Sequence, residues 1–371
     1  MKKVWIEIDK KAARNNFDRF QSLLDKKTEL WAVVKSNAYG HGLQLVAKLF
    51  NSFGIDGFCV DSLVEGMKLR TIGITKPILV LGPTLPHNSS KSAYDEDITL
   101  TISSREALKE VLQSRYIPKF YIKVDTGMHR QGFDEKELKK VFMLISKKGK
   151  DKLIGMYSHF ASANDTADFS FVNLQYSVFL RMIDIAKKAG FQNIRFSAAA
   201  TGATLMDKKF HFDAVRIGAG LYGYWPSSEL RVQKSHAGLK PLLSWKSIIS
   251  EIKTVPKGAF IGYDLTEKTV RTTKLGIIPI GYWHGFSRGL SRIGEVLVSK
   301  KRARVLGRVS MDLIAVDLTG ISAHVGTIVT LLGKEGKEII SAEEMAGKLK
   351  TSHYEVITRI NPLIERVLVT S

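Results

Sequence analysis

Between residues 29 and 220 short apolar runs return eight times, each followed by a longer stretch with helical period, and few folds accept that rhythm. The runs are WAVVK (31–35), GFCVD (57–61), PILVL (77–81), ITLTI (98–102), FYIKV (120–124), IGMYS (154–158), NIRFS (193–197) and AVRIG (214–218). Nearly continuous apolar strands suit a parallel sheet covered on both faces. Eight strand–helix units in series predict an α/β architecture, a closed (β/α)8 TIM barrel. Ligands bind such barrels at the carboxyl ends of the strands, which directs attention to Lys35, Asp61, Lys123, Asp125, His159, Ser197, Arg216 and Gly218.

After Trp225 the rhythm changes into segments such as LLSWKSIISEIKTV, KLGIIPIGY, GEVLVSKKRARVLGR, AVDLT and GTIVTLL, punctuated by glycine. Short strands joined by turns account for this better than crossover helices do. We therefore expect a barrel domain over 1–230 and a mainly β domain over 231–371. The run VWIEID (4–9) would be a ninth strand for an eight-stranded barrel, so it is expected to pair with the C-terminal β domain. The stretch SAEEMAGKLKTS (341–352), acidic early and basic late, reads as a surface helix.

With 44% hydrophobic and 25% charged residues, the chain is outside the disorder regime. No stretch approaches the roughly 20 apolar residues of a membrane-spanning helix. The opening MKKVWIEIDKKAARNNF interrupts every apolar run with charge, so no signal peptide is read and a cytoplasmic protein is expected. Cys59 is the single cysteine, which excludes a disulfide framework and a cysteine-based metal cluster and predicts a buried, inert thiol. The net charge of +20 raises nucleic acid or anionic surfaces as partners. The basic residues come as scattered doublets, Lys10-Lys11, Lys139-Lys140, Lys187-Lys188 and Lys208-Lys209, and read as solvated surface; no nucleic-acid, membrane or metal partner is expected.

The most informative stretch is AVVKSNAYGHG (32–42), in which an apolar strand ends on Lys35 and runs into small residues. Partial desolvation at a barrel mouth lowers a lysine pKa and frees the amine to attack an aldehyde. On pattern alone, an ordinary exposed lysine fits as well. The stretch closely resembles the cofactor-lysine motif of the alanine racemases, VVKANAYGHG, and differs from it within that span only at Ser36. The resemblance implies pyridoxal 5′-phosphate as cofactor, Lys35 as its Schiff-base lysine, and Tyr39 as a hydrogen-bond donor to its phosphate.

Further segments follow in that family's order and cover both domains. KVDTGMHRQGF (123–133) resembles KVDTGMGRLG, which implies that Arg130 approaches the cofactor phenolate and the substrate carboxylate; a guanidinium fork donates two parallel hydrogen bonds to a carboxylate, as a lysine cannot. Lys123 matches a lysine that is carbamylated in some members. His159 in YSHFASAN resembles the THFA motif, which implies contact with the cofactor ring and with the catalytic tyrosine. Arg216 in AVRIGAGLYG resembles the arginine of VRPGIALYG that faces the pyridine nitrogen. A permanent positive charge there disfavours a pyridinium proton and restrains electron withdrawal, which favours reprotonation at the α-carbon over transamination. Thr201 in SAAATGATL, with Gly218 and Ala219, matches the phosphate end; Ser197 and Ala200 depart from the usual HxANSAATL by replacing a histidine and an asparagine, which suggests fewer polar contacts there.

Racemisation needs acids or bases on both faces of a planar carbanion. Tyr263 in KGAFIGYDLTEKT resembles the tyrosine of VSYGATY, which reaches into the neighbouring barrel of a head-to-tail homodimer. Asp264 and Leu265 replace small residues there, and Glu267 stands where a tyrosine is usual. IPIGYWHGFSRGLS resembles the IPIGYADGY entrance segment, retaining Tyr282 and altering Trp283, His284 and Phe286. GRVSMDL resembles GRVCMDQ, with Met311 facing the substrate carboxylate and Asp312 supporting its loop, and Tyr354 matches a phosphate-binding tyrosine. The resemblance thus implies a PLP-dependent amino-acid racemase acting on alanine, with Lys35 serving the D-enantiomer and Tyr263 the L-enantiomer, and supplying D-alanine for peptidoglycan. A serine or broader-specificity racemase, or a non-catalytic cofactor carrier, are the alternatives. A fold-related decarboxylase is disfavoured by Arg216 and by the lack of a second-domain cysteine.

Overall fold

Strand β1 (Val4–Asp9) is not a strand of the barrel; the eight apolar runs form β2 (Glu29–Val33), β3 (Gly57–Val60), β4 (Ile78–Val80), β5 (Leu100–Ile102), β6 (Phe120–Lys123), β7 (Leu153–Tyr157), β8 (Arg195–Ser197) and β9 (Ala214–Ile217). All eight pair in parallel, in the orders β4-β3-β2-β9 and β5-β6-β7-β8. A parallel bridge between Leu79 and Thr99 carries β4 onto β5. The Asp213 amide donates to Phe196 O and the Ser197 hydroxyl to Ala214 O, which carries β8 onto β9. The ring therefore closes as the expected barrel. The computed structural model that shows this describes residues 2–83, 89–163 and 168–370.

Every residue of β3, β4, β5, β6 and β9 is buried, because helices cover the outside while side chains fill the inside. Trp31 on β2 touches Tyr121 on β6, which touches Tyr157 on β7, with ring centroids 6.4 and 6.2 Å apart. Because β2 and β6 belong to opposite halves of the ring, this contact runs through the barrel interior. The outer helices show ordinary start signals: Ser62 and Ser104 cap Leu63–Thr71 and Arg105–Gln113, and Asp134 with Glu137 forms a capping box on Glu135–Lys147.

This unit comprises Lys11–Ala38 and Val46–Pro241. Its end is set by Asn16, a fully buried amide on the helix Lys10–Leu23 that donates to the Leu221 and Lys240 carbonyls and accepts the Lys240 amide. Residues 228–240 consequently stay with the barrel, although the composition changes after Trp225.

The second unit comprises Met1–Lys10, Tyr39–Leu45 and Leu242–Ser371. Its strands are β1, β10 (Leu243–Ile248), β11 (Glu251–Val255), β12 (Thr273–Ile278), β13 (Glu295–Val298), β14 (Lys301–Leu306), β15 (Ile314–Asp317), β16 (Ile328–Glu335), β17 (Glu338–Ile340) and β18 (Arg366–Val369), in the order β11-β12-β15-β14-β13-β16-β10-β1-β18 with β17 on β16. β1 runs antiparallel to β10, placing Ile6 opposite Trp245, and parallel to β18. Ser341 caps the helix Ala342–Leu349. Among the described residues no helix is long and apolar enough to cross a membrane.

Candidate active site

Lys35 lies just past β2, its ammonium 3.7 Å from Asp61 at the end of β3. Beyond it Ser36, Asn37, Ala38 and Tyr39 have φ of 55°, 55°, 54° and 52°, a left-handed turn of four non-glycine residues. Each such residue costs roughly 1–2 kcal/mol, and strain of this kind gathers at functional sites, where the surroundings over-determine the backbone. Here the Glu65 carboxylate supplies that constraint, accepting the Asn37 amide at 3.3 Å and the Asp61 amide at 2.8 Å, so that one side chain ties the ends of β2 and β3 together.

Arg216 rises on β9, the strand paired with β2. Its guanidinium is buried and donates to the Ser197 hydroxyl, to Ser158 O at 2.6 Å and to Ala198 O, and it stands 4.7 Å over the Tyr157 ring. All its partners are neutral, so the positive charge remains uncompensated among the described residues. Ser197, expected near the phosphate end, instead holds Arg216: its hydroxyl donates to Ala214 O, which leaves its lone pairs for the guanidinium.

That charge shapes its surroundings. Burial and the charges of Arg216, Lys123, Arg130 and Lys35 bring His159 down to about 3, so it is a neutral imidazole at physiological pH. Burial, Arg216 and Arg130 bring Lys123 down to about 7 against the pull of Asp125. Its amine donates to Val124 O at 2.7 Å and lies 5.4 Å from the Tyr157 ring centroid. Burial pushes the Cys59 thiol up to about 12 against the charges of Arg216 and Lys35, consistent with the inert thiol expected.

Arg130 is exposed on a loop that Asp125 organises. One oxygen of that carboxylate accepts the amides of Gly127, Met128 and His129 at 2.9, 2.9 and 3.2 Å. Burial raises the Asp125 pKa, but the three donors and Lys123 outweigh it, and the carboxyl stays below its ordinary range. After β8, Thr201 opens the helix Thr201–Met206 and its hydroxyl accepts the Gly220 amide at 3.2 Å. The amides of Gly218 and Ala219 have no protein acceptor among the described residues.

Gln175 carries no motif and escaped the sequence reading. Fully buried on the helix Ser170–Lys188, it accepts the Ala161 amide and donates to His159 O and to the Thr126 hydroxyl, which itself pairs with Ser158. The one available signal was a glutamine on the apolar face of an amphipathic helix.

In the second unit Tyr39 and Tyr354 face each other with ring centroids 6.1 Å apart. Burial raises the Tyr354 phenol to about 12, so it is a hydrogen-bond donor, not an anion. Arg366 fixes the nearby backbone by donating to Gly40 O. Tyr263, Tyr282 and Met311 line an open cleft of about 740 Å3, together with Arg288, Arg308 and Arg359, none of which the motif reading had singled out. Tyr263 is 68% exposed and Met311 54%. The Tyr282 and Met311 loops are joined by the Tyr282 amide to Ser310 O and the Trp283 amide to Met311 O, both at 3.1 Å. Asp312 lies 3.9 Å from His284 on the same pair of loops.

The alanine racemase N-terminal domain description matches residues 8–226, and the alanine racemase C-terminal domain description matches 242–368. The chain belongs to the alanine racemase family. It is 38% identical to the alanine racemase of Leptospira interrogans serovar copenhageni over 98% of this chain and 95% of that protein, and 38% identical to that of Carboxydothermus hydrogenoformans over the full length of both. Its structure matches that of the Bacillus anthracis alanine racemase with bound L-Ala-P at a TM-score of 0.93, with 36% identity over 100% of this chain and 95% of that one. Alanine racemases are pyridoxal phosphate-dependent isomerases. The barrel mouth of this family member fits that cofactor: an amine at a strand end, a buried arginine with no carboxylate partner among the described residues, a neutral imidazole, and, beside the Thr201 hydroxyl, amides with no acceptor among them.

Proposed function

We propose that this racemase interconverts L-alanine and D-alanine on pyridoxal 5′-phosphate by a two-base mechanism, in the cytoplasm, and so supplies D-alanine for peptidoglycan. The observation that carries the reading is the uncompensated, buried guanidinium of Arg216 on the strand next to that of Lys35. A carboxylate at that place would pull a proton onto a pyridine nitrogen; a fixed positive charge repels one.

When bound, the cofactor accepts the electron pair released as the substrate α-proton leaves. Lys35 Nζ would hold the cofactor aldehyde at rest and, freed when the substrate amine takes its place there, would move the α-proton on the face that gives D-alanine. Tyr263 Oη moves the proton on the opposite face. His159, neutral, accepts a hydrogen bond at that phenol without adding a charge, and Arg130 orients the substrate carboxylate with the Met311 backbone, while Tyr282 bounds the entrance. Tyr39, Thr201, Gly218, Ala219 and Tyr354 would hold the phosphate. Because Tyr263 stands exposed in its own subunit, the reading assigns it to the barrel of a second copy, so that the enzyme works as a head-to-tail homodimer.

Lys123 belongs to the same reading. An amine held down to about 7 is about half unprotonated at neutral pH and so can add to CO2, and the resulting carbamate, formed with release of one proton, would place a negative charge within reach of Arg130 and Arg216. Serine is the substrate to set beside alanine, because Trp283, His284 and Phe286 alter the entrance segment. Chiral analysis of L-alanine, and then L-serine, incubated with protein and cofactor tests the proposal. Formation of D-alanine supports it, and loss of inversion in Lys35→Ala is expected. Full inversion in that variant would overturn it.

A further inference from the structure

Tyr263 sits at the tip of a hairpin whose base is well defined. The Gly258 amide donates to Thr269 O and the Thr269 amide to Ala259 O, Phe260 pairs with Lys268, and the Ile261 amide donates to Glu267 O at 3.0 Å. Ile261 is buried against Leu275 and Leu306. Above that base the tip is backbone in unfavourable conformation: Asp264 and Leu265 have φ of 61° and 50°. L-residues do not hold such angles unaided, so something outside the tip must impose them.

Two carboxylates are placed to do so. Asp264 pairs with Arg308 at 2.7 Å. Glu267, whose side chain is only 11% exposed, accepts Arg304 through both oxygens, at 2.7 and 3.4 Å, and stands 3.5 Å from Arg292; the Gly307 amide donates to the same carboxylate. Burial opposes ionisation of Glu267, but these donors outweigh it and keep it anionic. Arg304 lies on β14 and Gly307 just beyond it, on the segment that continues into Met311. A forked guanidinium, a second cation and a backbone amide use most of the acceptor positions of one carboxylate, and such a group has little freedom to move.

We infer that Glu267 is a positioning residue for Tyr263, locking the tyrosine hairpin onto the β14–Met311 segment through Arg304 and the Gly307 amide, with Arg292 beside them. The inference rests on the reading of Tyr263 as the base for L-alanine. Its leverage is geometric. A phenol oxygen stands roughly 6 Å from its own Cα, so a backbone rotation of about 10° displaces it by about 1 Å, and a misplacement of that size costs up to a hundredfold in proton transfer. Lys35 belongs to the other unit and is tied by Glu65, so its proton transfer is untouched.

The test is Glu267→Gln, with Arg304→Gln as a second, milder variant on an exposed side chain. We expect kcat/KM to fall between about tenfold and a hundredfold, in both directions equally because the equilibrium is fixed. The discriminating readout is the primary deuterium isotope effect. With α-deuterated L-alanine it rises, because transfer to Tyr263 becomes limiting; with α-deuterated D-alanine it falls toward unity, because transfer to Lys35 becomes a rapid prior step. Partial unfolding lowers both rates and leaves both isotope effects unchanged. Unchanged isotope effects in both variants, whatever the rate, would overturn the role of Glu267. Tyr263→Phe separates the two readings: if it loses inversion while Glu267→Gln keeps the wild-type pattern, only the positioning role fails, and if Tyr263→Phe inverts alanine normally, the base assignment itself fails.

Discussion

Lys123 shows how much of a single residue can be read and how much depends on its neighbours. Its place at the end of β6 and in the KVDTGM motif was visible in the chain; that the charge of Arg216 reaches it was not, because Arg216 is ninety-three positions away in sequence and comes near only when the barrel closes. The same holds for Ser197, which the motif assigned to the phosphate end and which the fold turns toward Arg216. The environment of Lys123 has a direct consequence for stability. Its folded pKa of about 7 lies below its ordinary 10.5, so between these values the unfolded chain binds the proton and the folded one does not. Stability from this group therefore rises with pH across that window, and below about 7 the cost of the buried charge is present in full. Lys123→Met, which keeps the volume and removes the charge, should raise the thermal midpoint in CO2-free buffer at pH 7, by the equivalent of a few kcal/mol at most. The advantage should shrink steadily as the pH is taken toward 10. A constant difference across that range would mean that the ammonium finds solvent in the folded protein.

At the level of elements, all eight barrel strands lay within the apolar runs or within two residues of them, since a covered parallel strand has to be apolar along its whole length. The left-handed turn from Ser36 to Tyr39 was not legible: Ser, Asn, Ala and Tyr carry no common signal for positive φ, and only the Gly40 that follows hints at it. Two glycines separate what the turn requires from what any left-handed residue requires. Gly40 has φ of 82°, and a Cβ there would lie 2.0 Å from Ile357 O; Gly54 has φ of 93° and open space around it. Gly54→Ala should therefore cost only about 1 kcal/mol, the strain of the angle alone. Gly40→Ala meets backbone that cannot swing aside and should cost at least about 3 kcal/mol and weaken cofactor retention, since Tyr39 and the turn from Lys35 must shift with it. Chemical denaturation of both variants checks this. Equal losses would show that the Ile357 segment yields, and that the turn is held from the Glu65 side alone.

For the whole molecule, the open cleft around Tyr263 and Met311 is the feature that an isolated subunit leaves unexplained. A phenol that takes a proton from carbon needs a water-poor setting, and a side chain 68% exposed does not have one. On the proposed two-fold pair, in which each copy inserts its tyrosine into the other's barrel, that setting would be supplied twice and activity would be a property of the pair. Composition gave no hint of this: the +20 charge spreads over scattered lysines and over networks such as Arg302 with Glu295, Glu338 and Glu344, none of which marks an interface. The arrangement has an arithmetic consequence. Lys35→Ala and Tyr263→Phe homodimers are each expected to be inactive, because every site in them lacks one base. When the two are mixed and allowed to exchange subunits, each mixed dimer contains one site with both bases intact and one site with neither. Random exchange makes half of all dimers mixed, so about a quarter of the wild-type number of sites should return, with wild-type KM for alanine. If the lysine and the tyrosine of one site came from the same chain, no mixture could restore any activity. Recovery should follow the rate of subunit exchange and not the rate of substrate turnover, and a delay that lengthens as the dimer is stabilised would mark the recovered activity as arising at sites built from two copies.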